Sequence, residues 1–586
     1  MLPCSFHPAA EDVADFISRY SSRSPEALYE IAKGRCVNFV SREYAVIHEP
    51  LEDSLPLSLE RCSYSCIPKL YGLLDTTALE ASGIRPAVGP PAIRATGQGV
   101  IIGFIDTGID YTNPLFQNRD GSSRILAIWD QTIQGEEPPK SVAGFQPFSG
   151  TVYEKDDLDL ALASEHPFQL VPSRDENGHG TFLAGVAAGG AVSQPVEFSG
   201  AAPEAALAVV KLKPAKQYLR DFFLVPKDAP AYQENDIMAA VSWLLGIANR
   251  YAMPLVICLG LGTNQGSHDG TSPLSSMLRS LTGTPGLSVT VGAGNEAGLH
   301  HHYVGAVQAD QNFTDVELRI GENEAGFCLE LWAREPDLYT VGFVSPSGEV
   351  IERVPLVLGR ETSIPFGFDN TVISLTYDPY EAGSGSQLIF MRFLSPAAGI
   401  WHIRVYPNLP TTRQFHMWLP MSGFVSESTI FLRPDPDTTI TDPGNSIMPI
   451  TVSTYNHVTN SLYIHSSRGF TRTEQIKPDL AAPGVEVQGP GLTPGQLPSD
   501  AGAAGSELPV FTRRTGSSVA AAITAGAVAG IFSWNLAGST ASALTSTAVK
   551  SLLIRGADRR PEFPYPNRQW GYGSLNLYQA LLLTRE

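Results

Sequence analysis

Three short segments of the sequence carry side chains that together can perform nucleophilic catalysis. Asp106 ends an apolar run, so a carboxylate stands at the carboxyl end of a predicted buried strand, where α/β folds assemble their sites. His179 lies between Gly178 and Gly180 at the start of a predicted helix, and an imidazole is suited to proton transfer near neutral pH. Ser518 opens an alanine-rich segment whose helical N-terminus favours developing negative charge.

Each segment has an ordinary structural explanation when it is taken alone. Aspartate at a strand end is commonly a turn former, a single histidine is more often structural, and serine is a common residue at helix N-termini. The segments follow one another in the order aspartate, histidine, serine, which is one of the chain orders known for a nucleophile, its base and an orienting carboxylate. The ordered combination therefore predicts a serine nucleophile.

This combination resembles the subtilisin-like serine proteases, or subtilases. The resemblance extends to the segment VGAGNEAG at 291–298, which is similar to the oxyanion-hole segment of that family. It also extends to KPDLAAPG at 477–484 and GYGSLN at 571–576, on either side of Ser518. Because four ordered motifs agree, we identify the chain as a member of this family.

The resemblance implies a role for each residue. Asp106 would orient His179 and stabilise its imidazolium, and His179 would take the proton of Ser518, whose oxygen attacks a peptide carbonyl. The side-chain amide of Asn295 and the backbone N–H of Ser518 would hold the resulting oxyanion.

The resemblance also implies where a substrate binds. An extended peptide would lie against Gly260, Leu261 and Gly262 on one side and against Gly292 and Ala293 on the other, pairing with strand edges. Glycines in these two walls are equally well explained by tight packing within the sheet.

A narrower resemblance is to the clostridial Csp germination proteases. It rests on IPKLYGLLD at 67–75, on GFIDTGIDYT at 103–112, and on a β-rich insertion directly after the Asn295 loop, where that group carries a jelly-roll domain. Two positions depart from the wider subtilase pattern. Ser517 stands where threonine usually precedes the nucleophile. Ala522 stands where most subtilases have proline, and alanine at this position is similar to the Csp pattern.

The Csp resemblance implies a function in spores. A protease of that group cleaves the inactive precursor of a spore-cortex hydrolase during germination, so a cortex-hydrolase zymogen is the implied protein substrate. Residues 1–65 would be a prodomain that the enzyme cuts off itself and retains non-covalently as a product-like inhibitor. Counting back from Asp106 predicts the cut between Cys62 and Ile67.

The arrangement of apolar segments predicts the fold class. Short apolar runs separated by helical patterns indicate an α/β domain with a parallel sheet covered by helices on both faces. The runs lie at 100–105, 205–212, 255–259 and 287–291, and the helical patterns lie at 181–188, 236–251 and 275–281.

A different pattern fills the middle of the chain. Seven short alternating segments without helices predict an inserted β-sandwich, or jelly-roll, domain over 301–431. The subtilisin-like α/β domain would then consist of two parts, 66–300 and 432–586. Helical spacing over 11–33 followed by strand-like alternation over 37–48 predicts a small α+β prodomain at the N-terminus.

Composition excludes several partners. Lys and Arg number 40 against 59 Asp and Glu, for a formal net charge of −19, so nucleic acid and anionic membrane surfaces are not expected partners. No cofactor and no metal are predicted. Adjacent side chains in the run His300–His302 do not converge on one ion, and the stretch 192–199 offers only Glu197 as an obvious anionic calcium ligand.

The termini and the apolar segments bear on location. The acidic N-terminal segment lacks the pattern of a signal peptide, so synthesis in the cytoplasm is expected, with spore association following from the Csp resemblance. No Asp, Glu, Lys or Arg occurs between Arg514 and Lys550, but the segment is mostly small residues and predicts a buried helix instead of a membrane span.

Two other readings stay open at this point. The chain could be a catalytically silent or prodomain-blocked scaffold that acts as a germinant-signalling partner, although all three catalytic residues are present. It could also be a general degradative subtilase, which the missing signal peptide and the inserted domain both disfavour.

Overall fold

The computed structural model describes residues 7–20, 36–41, 43–73, 82, 84–88, 94–135, 139–194, 197–281, 283–493, 509–537 and 544–584. Within these residues the chain forms a small N-terminal β-sheet unit, an α/β domain built from two separate stretches of chain, and a β-sandwich inserted between those stretches. The predicted fold class is therefore confirmed for the α/β and the inserted β domains.

A nine-stranded sheet forms the centre of the α/β domain. Its strands pair in parallel except for Ser461–Leu462 and Thr151–Glu154, which pair antiparallel at the two ends. The strand order is Ser461–Leu462, Ile450–Asn456, Leu287–Gly292, Leu255–Leu259, Ile101–Asp106, Ala206–Lys211, Ile125–Asp130 and Thr151–Glu154, with Leu480–Pro483 also beside Ile450–Asn456.

Helices cover both faces of this sheet. Alternate side chains of each strand point to opposite faces, and the apolar ones on both faces pack against helices. Ile102 and Phe104 pack with one layer of helices, and Ile101 and Ile105 pack with the other. The α-helices are Leu51–Ser54, Ile84–Val88, Lys155–Leu162, Pro167–Leu170, His179–Ala188, Gln217–Phe223, Glu234–Tyr251, Pro273–Ser280, Ser517–Ala537, Ser546–Gly556 and Leu577–Leu582, and the 3₁₀ turns are Tyr64–Cys66 and Pro114–Phe116.

The helix Ser517–Ala537, called the core helix below, explains the uncharged segment. Among the described residues it is the one helix whose length and composition would allow it to cross a membrane. Its residues from Ser517 to Ser533 are buried, and they pack against helix His179–Ala188 and the central sheet. The structure thus places this segment in the protein core, as the sequence predicts.

The inserted domain consists of two antiparallel sheets that enclose one apolar core. The larger sheet has the order His302–Ala306, Gln414–Trp418, Gly326–Ala333, Leu388–Leu394, Val372–Asp378 and Glu361–Pro365. The smaller sheet has the order Val350–Ile351, Leu338–Val344, Gly399–Leu409, Thr314–Ile320 and Ile430–Phe431. The predicted alternating segments therefore form a sandwich.

The N-terminal unit differs from the prediction. Val13–Arg19, expected to be helical, is a strand, and it pairs antiparallel with Tyr44–Pro50, which also pairs with Cys36–Phe39. Both faces of Val13–Arg19 are buried, so apolar residues fall at successive positions and imitate helical spacing. The second predicted helical run, 27–31, lies outside the described residues.

Two further small sheets complete the α/β domain. Strand Leu70–Leu73 lies between Leu261–Gly262 and Tyr232–Gln233, and Val487–Pro490 pairs with Phe511–Arg514. The first of these sheets joins the N-terminal stretch directly to the α/β domain.

Candidate active site

The structure brings Asp106, His179 and Ser518 together from three separate elements. Strand Ile101–Asp106 ends at the carboxylate, helix His179–Ala188 begins at the imidazole, and Ser518 is the second residue of the core helix. His179 Nδ1 lies 2.7 Å from Asp106 Oδ1, and His179 Nε2 lies 3.2 Å from Ser518 Oγ. All three residues are buried. The arrangement has the geometry of a nucleophile, its general base and an orienting carboxylate.

Two glycines allow His179 to stand this close to Asp106. Gly178 caps the helix with φ at +81°, a left-handed conformation that favours glycine. A Cβ on Gly180 would lie 2.2 Å from the carbonyl oxygen of Gly108, so any larger residue would push the helix away from the strand end. The glycines on either side of the histidine therefore have a steric cause.

A buried carboxylate, Asp175, connects the two segments. Its Oδ2 accepts hydrogen bonds from the backbone N–H and the hydroxyl of Thr181, at 2.9 and 2.6 Å. Its Oδ1 accepts from the Thr107 hydroxyl at 2.8 Å, and Thr107 Oγ1 accepts from the Gly180 N–H at 3.0 Å. Because Thr107 and Gly180 each directly follow a residue of the triad, Asp175 fixes the carboxylate relative to the imidazole.

Asn295 lies in the loop that follows strand Leu287–Gly292, beside the start of the core helix. Its Oδ1 accepts a hydrogen bond from the Ser517 N–H at 3.1 Å, which leaves the amide N–H groups of Asn295 as donors. Ser517 Oγ accepts from the Gly294 N–H at 3.0 Å. Ser517 thus holds the Asn295 loop against the helix N-terminus, whose partial positive charge also favours an oxyanion.

The inserted domain supports the same loop through Glu296. This buried carboxylate lies 2.7 Å from His301 Nδ1 and accepts hydrogen bonds from the Asn264 amide at 3.0 Å and the Ser422 N–H at 3.2 Å. His301 directly precedes the first strand of the β-sandwich, and Ser422 lies between its strands Gln414–Trp418 and Ile430–Phe431. The residue next to Asn295 is therefore anchored on both the α/β domain and the insertion.

A strand of the chain itself pairs with one of the two predicted substrate-binding walls. Leu73 pairs antiparallel with Leu261, and Gly72 pairs with Gly262. The strand therefore runs toward Gly260, where an added Cβ would lie 3.0 Å from His179 Cε1. The cleft beside the triad is thus occupied by an extended segment, in the manner of a peptide that adds a strand to a sheet edge.

The other edge of this strand has a partner that the sequence analysis did not identify. Leu70 and Tyr71 pair with Gln233 and Tyr232, directly before helix Glu234–Tyr251. A two-residue strand carries no periodic signal, so only the structure reveals it.

The second predicted wall has a different place in the structure. Gly292 and Ala293 are buried at the end of strand Leu287–Gly292. A Cβ on Gly292 would lie 2.7 Å from Ser517 Oγ. These residues therefore line the site next to the nucleophile helix and do not pair with strand Leu70–Leu73.

The predicted absence of a metal stays a prediction. Within the described ranges, no group of three or more His, Cys, Asp or Glu residues is placed to hold a metal ion. The histidines at 301 and 302 have separate partners, because His301 pairs with Glu296 while His302 Nε2 lies 3.0 Å from His416 Nδ1.

The family model of the subtilases, peptidase family S8, matches residues 97–320 and 432–573, so the chain belongs to the subtilase family. It is a subtilisin-type serine endopeptidase with a β domain inserted into its catalytic domain. The unmatched interval between the two blocks corresponds to most of the β-sandwich.

Among solved structures, the chain is similar to the CspB protease of Clostridium perfringens, with 29% identity and a TM-score of 0.72 over 86% of this chain and 98% of that chain. It is also similar to the subtilisin-like protease SBT2.2 of Arabidopsis thaliana, with 33% identity over 167 residues. The latter match covers 26% of this chain and 18% of the plant protein. The resemblance to Csp proteases is therefore confirmed.

Asp175 gives a test of how the site is held together. We expect Asp175→Asn to slow peptide-bond cleavage about 10²-fold, because the amide disturbs the hydrogen bonds that align Asp106 with His179. The measurement is the cleavage rate, together with thermal unfolding in the Ser518→Ala background to separate alignment from stability. Asp120→Asn, an exposed carboxylate that also accepts a backbone N–H, is the matched control. A wild-type rate for Asp175→Asn would refute the positioning role.

Proposed function

We propose that this endopeptidase cleaves its own chain directly after strand Leu70–Leu73 and keeps the N-terminal fragment bound in its cleft. The observation that carries the proposal is the pairing of this strand with Leu261–Gly262 on one edge and Tyr232–Gln233 on the other. A substrate must lie extended in this position for its next residues to reach Ser518, and here the chain supplies that segment itself.

The proposed chemistry follows from the hydrogen bonds of the triad. His179 Nε2 accepts the proton of Ser518 as Oγ attacks the peptide carbonyl carbon, while Asp106 holds Nδ1–H and stabilises the imidazolium. The oxyanion is bound by the Asn295 amide and the Ser518 N–H. The imidazolium then protonates the leaving amine, which breaks the C–N bond and leaves an acyl-enzyme, and water releases the acid by the same steps in reverse.

The structure favours a cut later in the chain than the predicted window of Cys62 to Ile67. In that window Tyr64 and Ile67 are buried, and Lys69 Nζ donates to both of their carbonyl oxygens at 2.7 Å. Because Leu73 pairs antiparallel with Leu261, a following residue in the same register would pair with Gly260, beside His179. We therefore propose that cleavage occurs after residue 74, 75 or 76, which are outside the described residues.

Intact mass spectrometry of the purified wild-type and Ser518→Ala chains tests self-cleavage. We expect the wild type to appear as two fragments, with the larger one beginning within residues 75–77, and the Ser518→Ala chain to stay whole. A new N-terminus near Cys62 would contradict the proposed register, because strand Leu70–Leu73 would then belong to the larger fragment.

The alternative function is a prodomain-blocked or silent scaffold. An uncut wild-type chain that also fails to react with a serine-directed phosphonate would favour it. Cleavage that depends on Ser518 would exclude the silent form.

Retention of the N-terminal fragment is supported by buried polar contacts with both other domains. The Asp15 carboxylate lies 2.9 Å from Lys216 Nζ and 2.6 Å from His48 Nδ1, and it accepts from the Gln233 amide at 3.0 Å. Burial alone would raise the pKa of Asp15, but the Lys216 ammonium and His48 hold it well below its ordinary value. Asp15 therefore remains ionised and paired.

A second contact links the N-terminal stretch to the inserted domain. The Tyr64 hydroxyl donates to Glu330 Oε1 on the β-sandwich, while Glu330 Oε2 accepts from the Gly266 N–H and the Trp332 indole N–H, both at 2.9 Å. Around this junction, Leu57, Ile67 and Leu70 belong to an apolar cluster that includes residues of the sandwich. The insertion thus packs over the segment that leads into the cleft.

These contacts predict how the fragment can be released. We expect the cleaved wild type to elute as one species in size-exclusion chromatography. Asp15→Asn combined with Glu330→Gln should weaken retention. The first change breaks the buried ion pair with Lys216, which costs about 3–5 kcal/mol, and the second replaces the carboxylate that accepts from Tyr64 by an amide. Arg19→Gln is the control, because its exposed pair with Glu43 contributes little. Full retention in the double variant would refute the role of these two contacts.

We further propose that the physiological substrate is a spore-cortex hydrolase precursor and that the protein is associated with spores. The support is the likeness to the CspB protease of Clostridium perfringens together with the motifs at 67–75 and 103–112. We expect the purified chain, but not Ser518→Ala, to shorten such a precursor at one site, as seen by mass spectrometry. Cleavage at many sites would favour a degradative protease instead.

A further inference from the structure

The backbone that leads into strand Leu70–Leu73 stays hydrogen-bonded after both partner strands have ended. On one side the partner strand ends at Gly262, and on the other side Tyr232–Gln233 runs directly into helix Glu234–Tyr251. A backbone N–H that is buried beyond the end of a partner strand still needs an acceptor. On both sides a side chain provides that acceptor.

Gln265 continues the hydrogen bonding where strand Leu261–Gly262 stops. Its Oε1 accepts a hydrogen bond from the backbone N–H of Leu70 at 3.1 Å. The side chain is buried, and its Nε2 has no hydrogen-bond partner among the described residues. The reverse amide orientation would bring an NH2 group against the Leu70 N–H, so the glutamine can serve this position only as an acceptor. The bond to the cleft strand is therefore the one that its side chain is placed to make.

Glu234 continues the hydrogen bonding on the opposite side. Its backbone N–H donates to the Lys69 carbonyl oxygen at 2.9 Å, and its Oε2 accepts from the Lys69 N–H at 3.3 Å. Its Oε1 accepts from the Leu274 N–H at 3.0 Å, in the first turn of helix Pro273–Ser280. The side chain is fully buried, so it is fixed between this helix and the entering chain. Lys69 is thus held through both of its backbone polar groups.

The β-sandwich holds the loop that carries Gln265. The Gly266 N–H donates to Glu330 Oε2 of the sandwich at 2.9 Å. His268, in the same loop, stacks on Trp418 of the sandwich. Because the residues that follow Gln265 are fixed to the inserted domain, this domain sets where the Gln265 side chain meets the strand in the cleft.

We propose that Gln265 and Glu234 are positioning residues that bind the main chain of the segment being cleaved, at the positions of Leu70 and Lys69. The inference rests on the proposed function, because it concerns the segment that enters the cleft. Both side chains contact a backbone N–H and no side chain of the segment, so they accept any residue except proline, which has no N–H. They hold the chain several residues before the cut, which keeps the scissile carbonyl aligned with Ser518.

Replacement of one backbone amide by an ester tests the Gln265 contact. In cell-free translation, the α-hydroxy analogue of leucine is placed at position 70, which removes the N–H and keeps the side chain. We expect self-cleavage to slow about tenfold, because one hydrogen bond is lost and the Lys69 carbonyl becomes a weaker acceptor. Gln265→Met, which removes the acceptor at similar side-chain size, should slow it about fivefold. In the ester chain this substitution should have no further effect, because the bond is already absent.

The same exchange at position 69 tests the Glu234 contact. The α-hydroxy analogue of lysine removes the N–H that Glu234 Oε2 accepts, and we expect cleavage to slow about tenfold. Glu234→Gln should slow the amide chain about tenfold as well, because an NH2 group then faces the Lys69 N–H. In the ester chain Glu234→Gln should cost less, because the ester oxygen is not a donor. Equal slowing of both chains by Glu234→Gln would overturn this contact.

Gln134→Met is the matched control and should cleave at the wild-type rate, because Gln134 Oε1 also accepts a backbone N–H, from Gly150. Thermal unfolding in the Ser518→Ala background shows whether each variant is folded, and the ester at position 70 alone decides if Gln265→Met is not. A folded ester chain that cleaves at the wild-type rate would overturn the inference and leave self-cleavage intact. Equal slowing of the amide and ester chains by Gln265→Met would also overturn it. A wild-type chain that never cleaves would overturn the proposed function and this inference with it.

Discussion

The structure depends on one constraint, which is that an extended strand buried beside the triad needs a partner on each edge. Backbone N–H and C=O groups taken out of water must be hydrogen-bonded, so strand Leu70–Leu73 can lie there only if both walls of the cleft pair with it. Leu261–Gly262 and Tyr232–Gln233 provide that pairing. The N-terminal unit and the β-sandwich then pack around the segment that enters this three-stranded sheet.

Buried carboxylates hold the separate parts of the site in register. Asp175 joins the aspartate strand to the histidine helix, Glu296 joins the Asn295 loop to the insertion, and Glu330 joins the insertion to the N-terminal stretch. Each of them accepts several hydrogen bonds, which is the condition under which a buried charge is tolerated. The catalytic geometry is therefore maintained by polar contacts between domains as well as by the central sheet.

These contacts explain why an insertion of this size can sit inside a catalytic domain. The sandwich begins directly after the Asn295 loop, and the chain that leaves it pairs with Thr263 through the backbone of Asp442, so its two ends meet the oxyanion segment and the strand Leu261–Gly262. His268 of the α/β domain stacks on Trp418 of the sandwich, with ring centroids 4.0 Å apart. The insertion is thus part of the walls of the active-site region and not a peripheral addition.

The reacting groups and the class of fold could be predicted from the sequence. Asp106, His179 and Ser518 could be found because each lies at the end of an element with a strong local signal, and the apolar runs and alternating segments indicated the two domain types. The N-terminal strand Val13–Arg19 was assigned wrongly, because burial of both faces removes the alternation that identifies a strand. The place of strand Leu70–Leu73 in the cleft and the roles of Asp175 and Ser517 became visible in the structure alone. These are contacts between residues far apart in the chain, and no local pattern encodes which distant residues meet.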